Sequence, residues 1–97
     1  MPAYISLFNF TEQGVKGVKD TVNRAQMIKQ SAQAAGGRVI GIWWLQGQYD
    51  GIIIFEAPDA DTAMRQLILS GIAGNTRSVT MPAFSEDDMT RILAGLP

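Results

Sequence analysis

Arg38-Val39-Ile40-Gly41-Ile42-Trp43-Trp44-Leu45-Gln46-Gly47-Gln48-Tyr49-Asp50-Gly51-Ile52-Ile53-Ile54-Phe55-Glu56 is the stretch that decides the fold. Its β-branched and aromatic residues predict a strand from Arg38 to Gln46 and a return strand from Tyr49 to Glu56, with Gly47-Gln48 as the turn. Ile52-Ile53-Ile54-Phe55 is an unbroken apolar run, and such a run implies that both faces of its strand are covered. The first strand is also apolar in both registers. Strict alternation puts Val39, Trp43 and Leu45 on one side and Ile40, Ile42 and Trp44 on the other.

Working outward from this hairpin, Ala3 to Phe10 alternates as a strand, with Tyr4, Ser6, Phe8 and Phe10 on one face. Thr11 can cap a short helical turn, which Gly14 and Gly17 weaken. A longer helix starts at Asp20-Thr21, and Ala25, Ile28, Ala32 and Ala35 form its apolar stripe up to Gly36-Gly37. Beyond the hairpin, Pro58-Asp59 opens a second helix with Asp59 as N-cap and Ala60, Ala63, Met64, Leu67 and Ile68 as its buried face. Asn75 to Met81 is a fourth strand, and Pro58 and Pro82 read as element boundaries. Ser85-Glu86-Asp87-Asp88 has the form of a capping box, although Asp88 is shorter than the usual Glu or Gln. Met89, Ile92, Leu93 and Leu96 are expected to be buried by that last helix, and Met27, Met64, Met81 and Met89 to fill gaps in the core.

The order β-α-β-β-α-β plus a C-terminal helix predicts an α+β ferredoxin-like sandwich formed by residues 1–97 as one domain. Helices cover one face of such a sheet. The other face, apolar and carrying one of the two tryptophans, would be left in water, and apolar surface of that extent marks an interface. The simplest cover is a second copy packed sheet to sheet about a twofold axis, a homodimer that can stack into multiples. The alternative cover is the chain's own C-terminal helix.

Composition removes several chemistries. With no His and no Cys there is no zinc site of the usual N/S type, no thiol nucleophile, no imidazole base and no axial His for haem, and neither metal nor cofactor is expected. Eight basic against nine acidic residues give no field that would draw nucleic acid. Gly14-Val15-Lys16-Gly17 matches a backbone clamp for RNA, but no surrounding pattern supports it. The longest near-apolar stretch, Val39 to Leu45, is too short for a membrane span, and no basic region precedes the apolar N-terminus as in a secretory signal, so a cytoplasmic location is the expectation.

Residues Met1 to Gly14, Gly41 to Asp50, Glu56-Ala57-Pro58-Asp59, Gly74-Asn75-Thr76-Arg77 and Ala83-Phe84-Ser85-Glu86 together resemble the GYD-domain proteins. The family takes its name from a Gly, one further residue and then Tyr-Asp, here Gly47-Gln48-Tyr49-Asp50. The resemblance implies a small bacterial or archaeal protein of the dimeric α/β-barrel superfamily, in which two chains pack sheet to sheet. It brings no activity, because relatives at superfamily level include oxygenases, haem-handling enzymes and isomerases, and fold does not carry function. Gly51 departs from the family, which more often has an aliphatic residue there; the departure either loosens the start of the strand or makes room for a ligand.

The candidate ligand-binding residues are Asn9, Trp43, Trp44, Tyr49, Asp50 and Arg77. Asp50 could serve as a general base with Tyr49 as proton donor. Asp in a turn more commonly ties the hairpin through backbone bonds, and adjacent strand residues point to opposite faces, so the structural role is favoured. By the same geometry one tryptophan belongs to the helix-side core and the other faces a partner or ligand. Asn9 and Arg77 are strand polars, and an Arg there can clamp a carboxylate or stay solvated. The function expected is small-molecule binding by a homodimer in a cavity beside the sheet. The alternatives are a cofactor-free enzyme of oxygenase or isomerase type using Asp50 and Tyr49, and a purely structural assembly module.

Overall fold

The computed structural model describes residues 1–97. Its elements are β1 (Ala3–Phe10), α1 (Glu12–Lys16), a 3-10 turn (Val18–Asp20), α2 (Thr21–Ala34), β2 (Arg38–Trp44), β3 (Gly51–Glu56), α3 (Ala60–Ala73), β4 (Thr76–Ala83) and α4 (Glu86–Ala94). The strands form one antiparallel sheet in the order β2-β3-β1-β4. With α2 and α3 on one side, this is the ferredoxin-like α+β arrangement.

Caps set the helix starts. The Gly14 N–H donates to Thr11 Oγ1 (3.1 Å) while the Thr11 hydroxyl donates to Gly74 O (2.6 Å), so one side chain joins the start of α1 to the end of α3. Thr62 N–H donates to Asp59 Oδ1 (2.8 Å) at the start of α3. Asp88 closes the box in spite of its length: its N–H donates to Ser85 Oγ (3.0 Å) and Ser85 N–H to Asp88 Oδ2 (2.9 Å).

These bonds hold both carboxyls below the ordinary value of 3.8, Asp59 through the side chain and then the N–H of Thr62, Asp88 through the N–H and then the hydroxyl of Ser85. A carboxyl with a lowered folded pKa stabilises above its unfolded value, and that contribution disappears as the pH falls through the folded one. Thermal midpoints measured between about pH 5 and pH 2 are expected to fall toward acid, and the double variant Asp59→Asn/Asp88→Asn, which keeps capping oxygens but cannot titrate, to give a shallower slope. Parallel slopes would show that the caps do not couple to pH.

The sheet departs from strict alternation at one point. Val39 pairs with Phe55 and Gly41 with the next residue back, Ile54, so Ile40 is an extra residue in a β-bulge. The bulge puts Val39, Ile42 and Trp44 on the helix face and Gly41 and Trp43 on the open face, correcting the grouping read from the sequence. The return strand also starts later than expected. Leu45 N–H donates to Asp50 O (2.8 Å), closing a loop from Gln46 to Tyr49, so Tyr49 and Asp50 lie before β3. Pro82 is inside β4, opposite Tyr4, rather than at a boundary; β4 is an edge strand, where a missing N–H costs no ladder bond.

The core is small and lies between the sheet and the helices. Phe55, Ala57 and Ala63 are buried with Tyr4, Val39 and Ile53 packed against them, and the Tyr4 and Phe55 rings stack at 5.2 Å. Nearer the other end, Phe8 lies across Gly51, its partner in the β1–β3 pairing, and meets Phe10 edge-on at 5.7 Å. Helix α2 turns Ala25 and Ala32 to the sheet and α3 turns Ala63. Two expectations fail here. Met64 and Ile68 of α3 are exposed, as is Met27 of α2, where the two helices stand apart over the sheet; Met81 of β4 is exposed because it lies on the opposite face, beside Ile5. Met89, Ile92, Leu93 and Leu96 of α4 are exposed as well: α4 buries no residue against its own chain.

Candidate functional site

Two apolar surfaces stand out, one on each side of the sheet. The first is the open face. Register brings Trp43, Ile52, Leu7 and Val79 into one row that crosses all four strands, and Gly41, Ile54, Ile5 and Met81 into the next. The Trp43 ring lies over Gly41, in the space a side chain there would need, so the second row is roofed by the aromatic of the first. Polar rows flank the apolar ones. At one end Arg38 and Glu56 form an ion pair, and at the other Asn9 stands opposite Arg77. An apolar centre with polar margins is the anatomy of a protein interface. Trp43 and Val79 are each about half exposed, at 51% and 53%, so α4 does not cover this face.

The second surface is a groove between α2 and α3 on the helix face, where the one side-chain bond between the two helices is Ser31 Oγ to Gln66 Oε1 (3.0 Å). It consists of two cavities of about 210 and 250 Å³ that share Ser6, Ile28, Ile53 and Leu67. One runs toward Phe8 and Trp44, the other toward Val39 and Phe55. Trp44 is held there by its indole N–H, which donates to Thr21 Oγ1 (3.0 Å). No carboxylate lines either cavity. Arg24, at the margin, gives its guanidinium to Gly14 O (3.3 Å) and Gly17 O (2.9 Å).

The six candidate residues therefore do not form one site. Asn9, Trp43 and Arg77 hold register positions on the open face, Trp44 lines the groove, and Tyr49 lies in the β2–β3 loop. Arg77 also borders a shallow, mostly polar depression of about 490 Å³ between α3 and β4. Asp50 has a structural position. Its Oδ2 accepts the N–H of Phe10 (2.9 Å) and its own N–H donates to Phe8 O, so it continues the pairing of β1 past the end of β3. Asp50→Ala should lower stability by about 1–2 kcal/mol in urea unfolding, because the half-buried Phe10 N–H loses its acceptor. An unchanged midpoint would show that the bond contributes nothing.

Sequence reasoning passed over Ser6. It is almost fully buried, at 5% exposure, in the floor of the groove, and accepts a hydrogen bond from the Thr80 hydroxyl (2.8 Å). The available signal was a small polar residue between Tyr4 and Phe8 in the helix-facing register of an otherwise aromatic strand face. No three acidic side chains lie close enough to hold a metal ion, and no helix is long and apolar enough to cross a membrane.

Comparison with known proteins adds the family. The GYD-domain model matches residues 4–93, which is most of the chain, and the chain belongs to that family. A curated protein of Thermus thermophilus, named glutamine synthetase and cystathionine beta-lyase binding protein, is 27% identical over 90 residues, covering 92% of this chain and 95% of its own. No solved structure matches significantly.

Proposed function

We propose that this member of the GYD-domain family is a self-associating binding protein: two copies pack open face to open face, and each holds a small molecule in the groove between α2 and α3. The observation that carries the reading is uncovered apolar surface. The chain exposes 6743 Å², whereas a folded monomer of its mass exposes about 5,400 Å², an excess of about 1,300 Å². A standard interface takes about 800 Å² from each partner, so the excess is large enough to supply one. The radius of gyration, 14.6 Å against about 12.5 Å for a compact domain of this length, reflects the same excess, which the open face shares with the unpacked α4. The two apolar rows and their polar margins supply the complementarity a twofold interface needs, since each residue of such a patch meets the same patch of the partner.

The enzyme alternative weighed for Asp50 and Tyr49 finds no support in this geometry, because the Asp50 carboxylate is engaged by the backbone and the groove is without an acid. Native mass spectrometry of protein purified without added ligand tests the reading. A dimer, or a multiple of it, carrying extra mass is expected; a monomer would contradict the packing, and a species without extra mass would contradict an occupant held tightly enough to survive purification.

A second reading rests on the Thermus relative's name and on the uncovered face of α4. In it the chain docks on an enzyme, with Ile92, Leu93 and Leu96 as the contact. Co-purification with glutamine synthetase or cystathionine beta-lyase from the same cell, lost in Leu93→Asp, would favour it; no association with either would set it aside.

A further inference from the structure

We propose that the groove selects uncharged, largely apolar molecules bearing one hydrogen-bond acceptor, such as a ketone or ether oxygen, and that the Ser6 hydroxyl is the donor that reads it. This deepens the groove reading above and rests on it. Ser6 and Ser70 both border the two cavities, and Ser6 is the one that is buried, at the floor between them. Each hydroxyl of the Ser6–Thr80 pair carries one proton. The two hydroxyls make one bond to each other, at 2.8 Å, and no further side-chain bond, so one of their two protons is spare; of the pair only Ser6 borders the groove, and there it can offer that proton to an occupant. An acceptor atom on an occupant would take that spare proton in surroundings shielded from water, where a hydrogen bond counts for more than in solvent.

The surroundings set the rest of the ligand. Phe8, Ile28, Ile53 and Leu67 border the groove around Ser6 and favour apolar carbon. An ionised ligand would lose its hydration without gaining a partner: no carboxylate is present, and the one guanidinium, that of Arg24, is already held by Gly14 O and Gly17 O. Neither cavity reaches the roughly 300 Å³ at which drug-sized pockets begin, so the occupant has the bulk of one or two fused rings.

The test uses two probes of nearly the same shape, 2-acetylnaphthalene with a carbonyl and 2-isopropenylnaphthalene without one, titrated by their fluorescence. Ser6→Ala is expected to weaken the acetyl probe about five- to tenfold and to leave the isopropenyl probe unchanged. Thr80→Val, which removes the neighbour but keeps the Ser6 proton, is expected to preserve acetyl binding and so guards against a merely structural effect of Ser6. Equal loss of both probes in Ser6→Ala, or loss of neither, would overturn the proposal while leaving the groove reading intact. Failure of both probes to bind, or binding that Leu67→Trp does not reduce, would overturn the groove reading and this proposal together.

Discussion

Val79→Asp is expected to abolish self-association and, with it, much of the stability of the fold. Val79 ends the apolar row that begins at Trp43, and it is 53% exposed in the single chain. If the chain worked alone, a carboxylate there would sit in water and change stability by no more than about 0.5 kcal/mol, as surface substitutions usually do. In a face-to-face dimer the carboxylate would be buried without a partner, which costs about 3–5 kcal/mol. Twofold symmetry places two such charges in the interface, and the cost applies to each. At low micromolar concentration the variant should be monomeric, with an unfolding midpoint well below that of the parent. The parent's midpoint should rise with concentration and the variant's should not. Asn9→Asp, in the polar margin beyond the apolar rows, serves as control and should associate normally. A variant as stable as its parent, with no concentration dependence in either, would remove the interface from the account.

The second large effect is expected inside the sheet. Gly51 pairs with Phe8, and a β-carbon built on Gly51 would collide with Phe8 Cζ, at the far edge of the ring. The space opened by this departure from the family pattern is thus filled by the chain's own aromatic. The sequence-based alternative of room for a ligand does not apply at this position. Gly51→Val restores an aliphatic residue with better strand propensity, yet it must displace a ring that is 6% exposed and packs against Phe10. Overpacking of that kind costs about 1–3 kcal/mol, or about 4–8 °C in midpoint for each kcal/mol in a chain of this size. Combining it with Phe8→Leu should recover part of the loss, since neighbouring substitutions are not additive. Recovery would assign the loss to the ring. Equal losses in the single and double variants would assign it to the backbone.

Much of the fold was legible because its signals are local. Thr11, Asp59 and Ser85 announced three helix starts through side chains that bond within one turn. Alternation in Ala3–Phe10 marked β1 at both ends. The faces of β2 were not legible, because Ile40 is the residue of a bulge and nothing in Val39-Ile40-Gly41 distinguishes a bulge from continued alternation. One inserted residue then reversed the side assigned to Val39 relative to Trp43. The exposure of α4 was hidden for a different reason. An amphipathic stripe states that a helix has a face to cover, and only tertiary structure says whether the same chain covers it.

The candidate site was partly legible. Trp43 and Trp44 were correctly expected on opposite faces, since that follows from the pleat alone. Which of them faces outward depended on the bulge. Tyr49 and Asp50 belong to the stretch that names the family, and Asp50 has a local task, accepting the Phe10 N–H, that explains its presence without chemistry. Ser6 was passed over because one serine in a strand carries no signal until helices are placed above it.

Sedimentation equilibrium of the purified chain tests the central claim most directly. A mass of twice the 10.5 kDa of the single chain, or a multiple of that dimer, is expected at low micromolar concentration in ordinary buffer. A mass of one chain, unchanged as the concentration is raised, would contradict the packing of open face on open face.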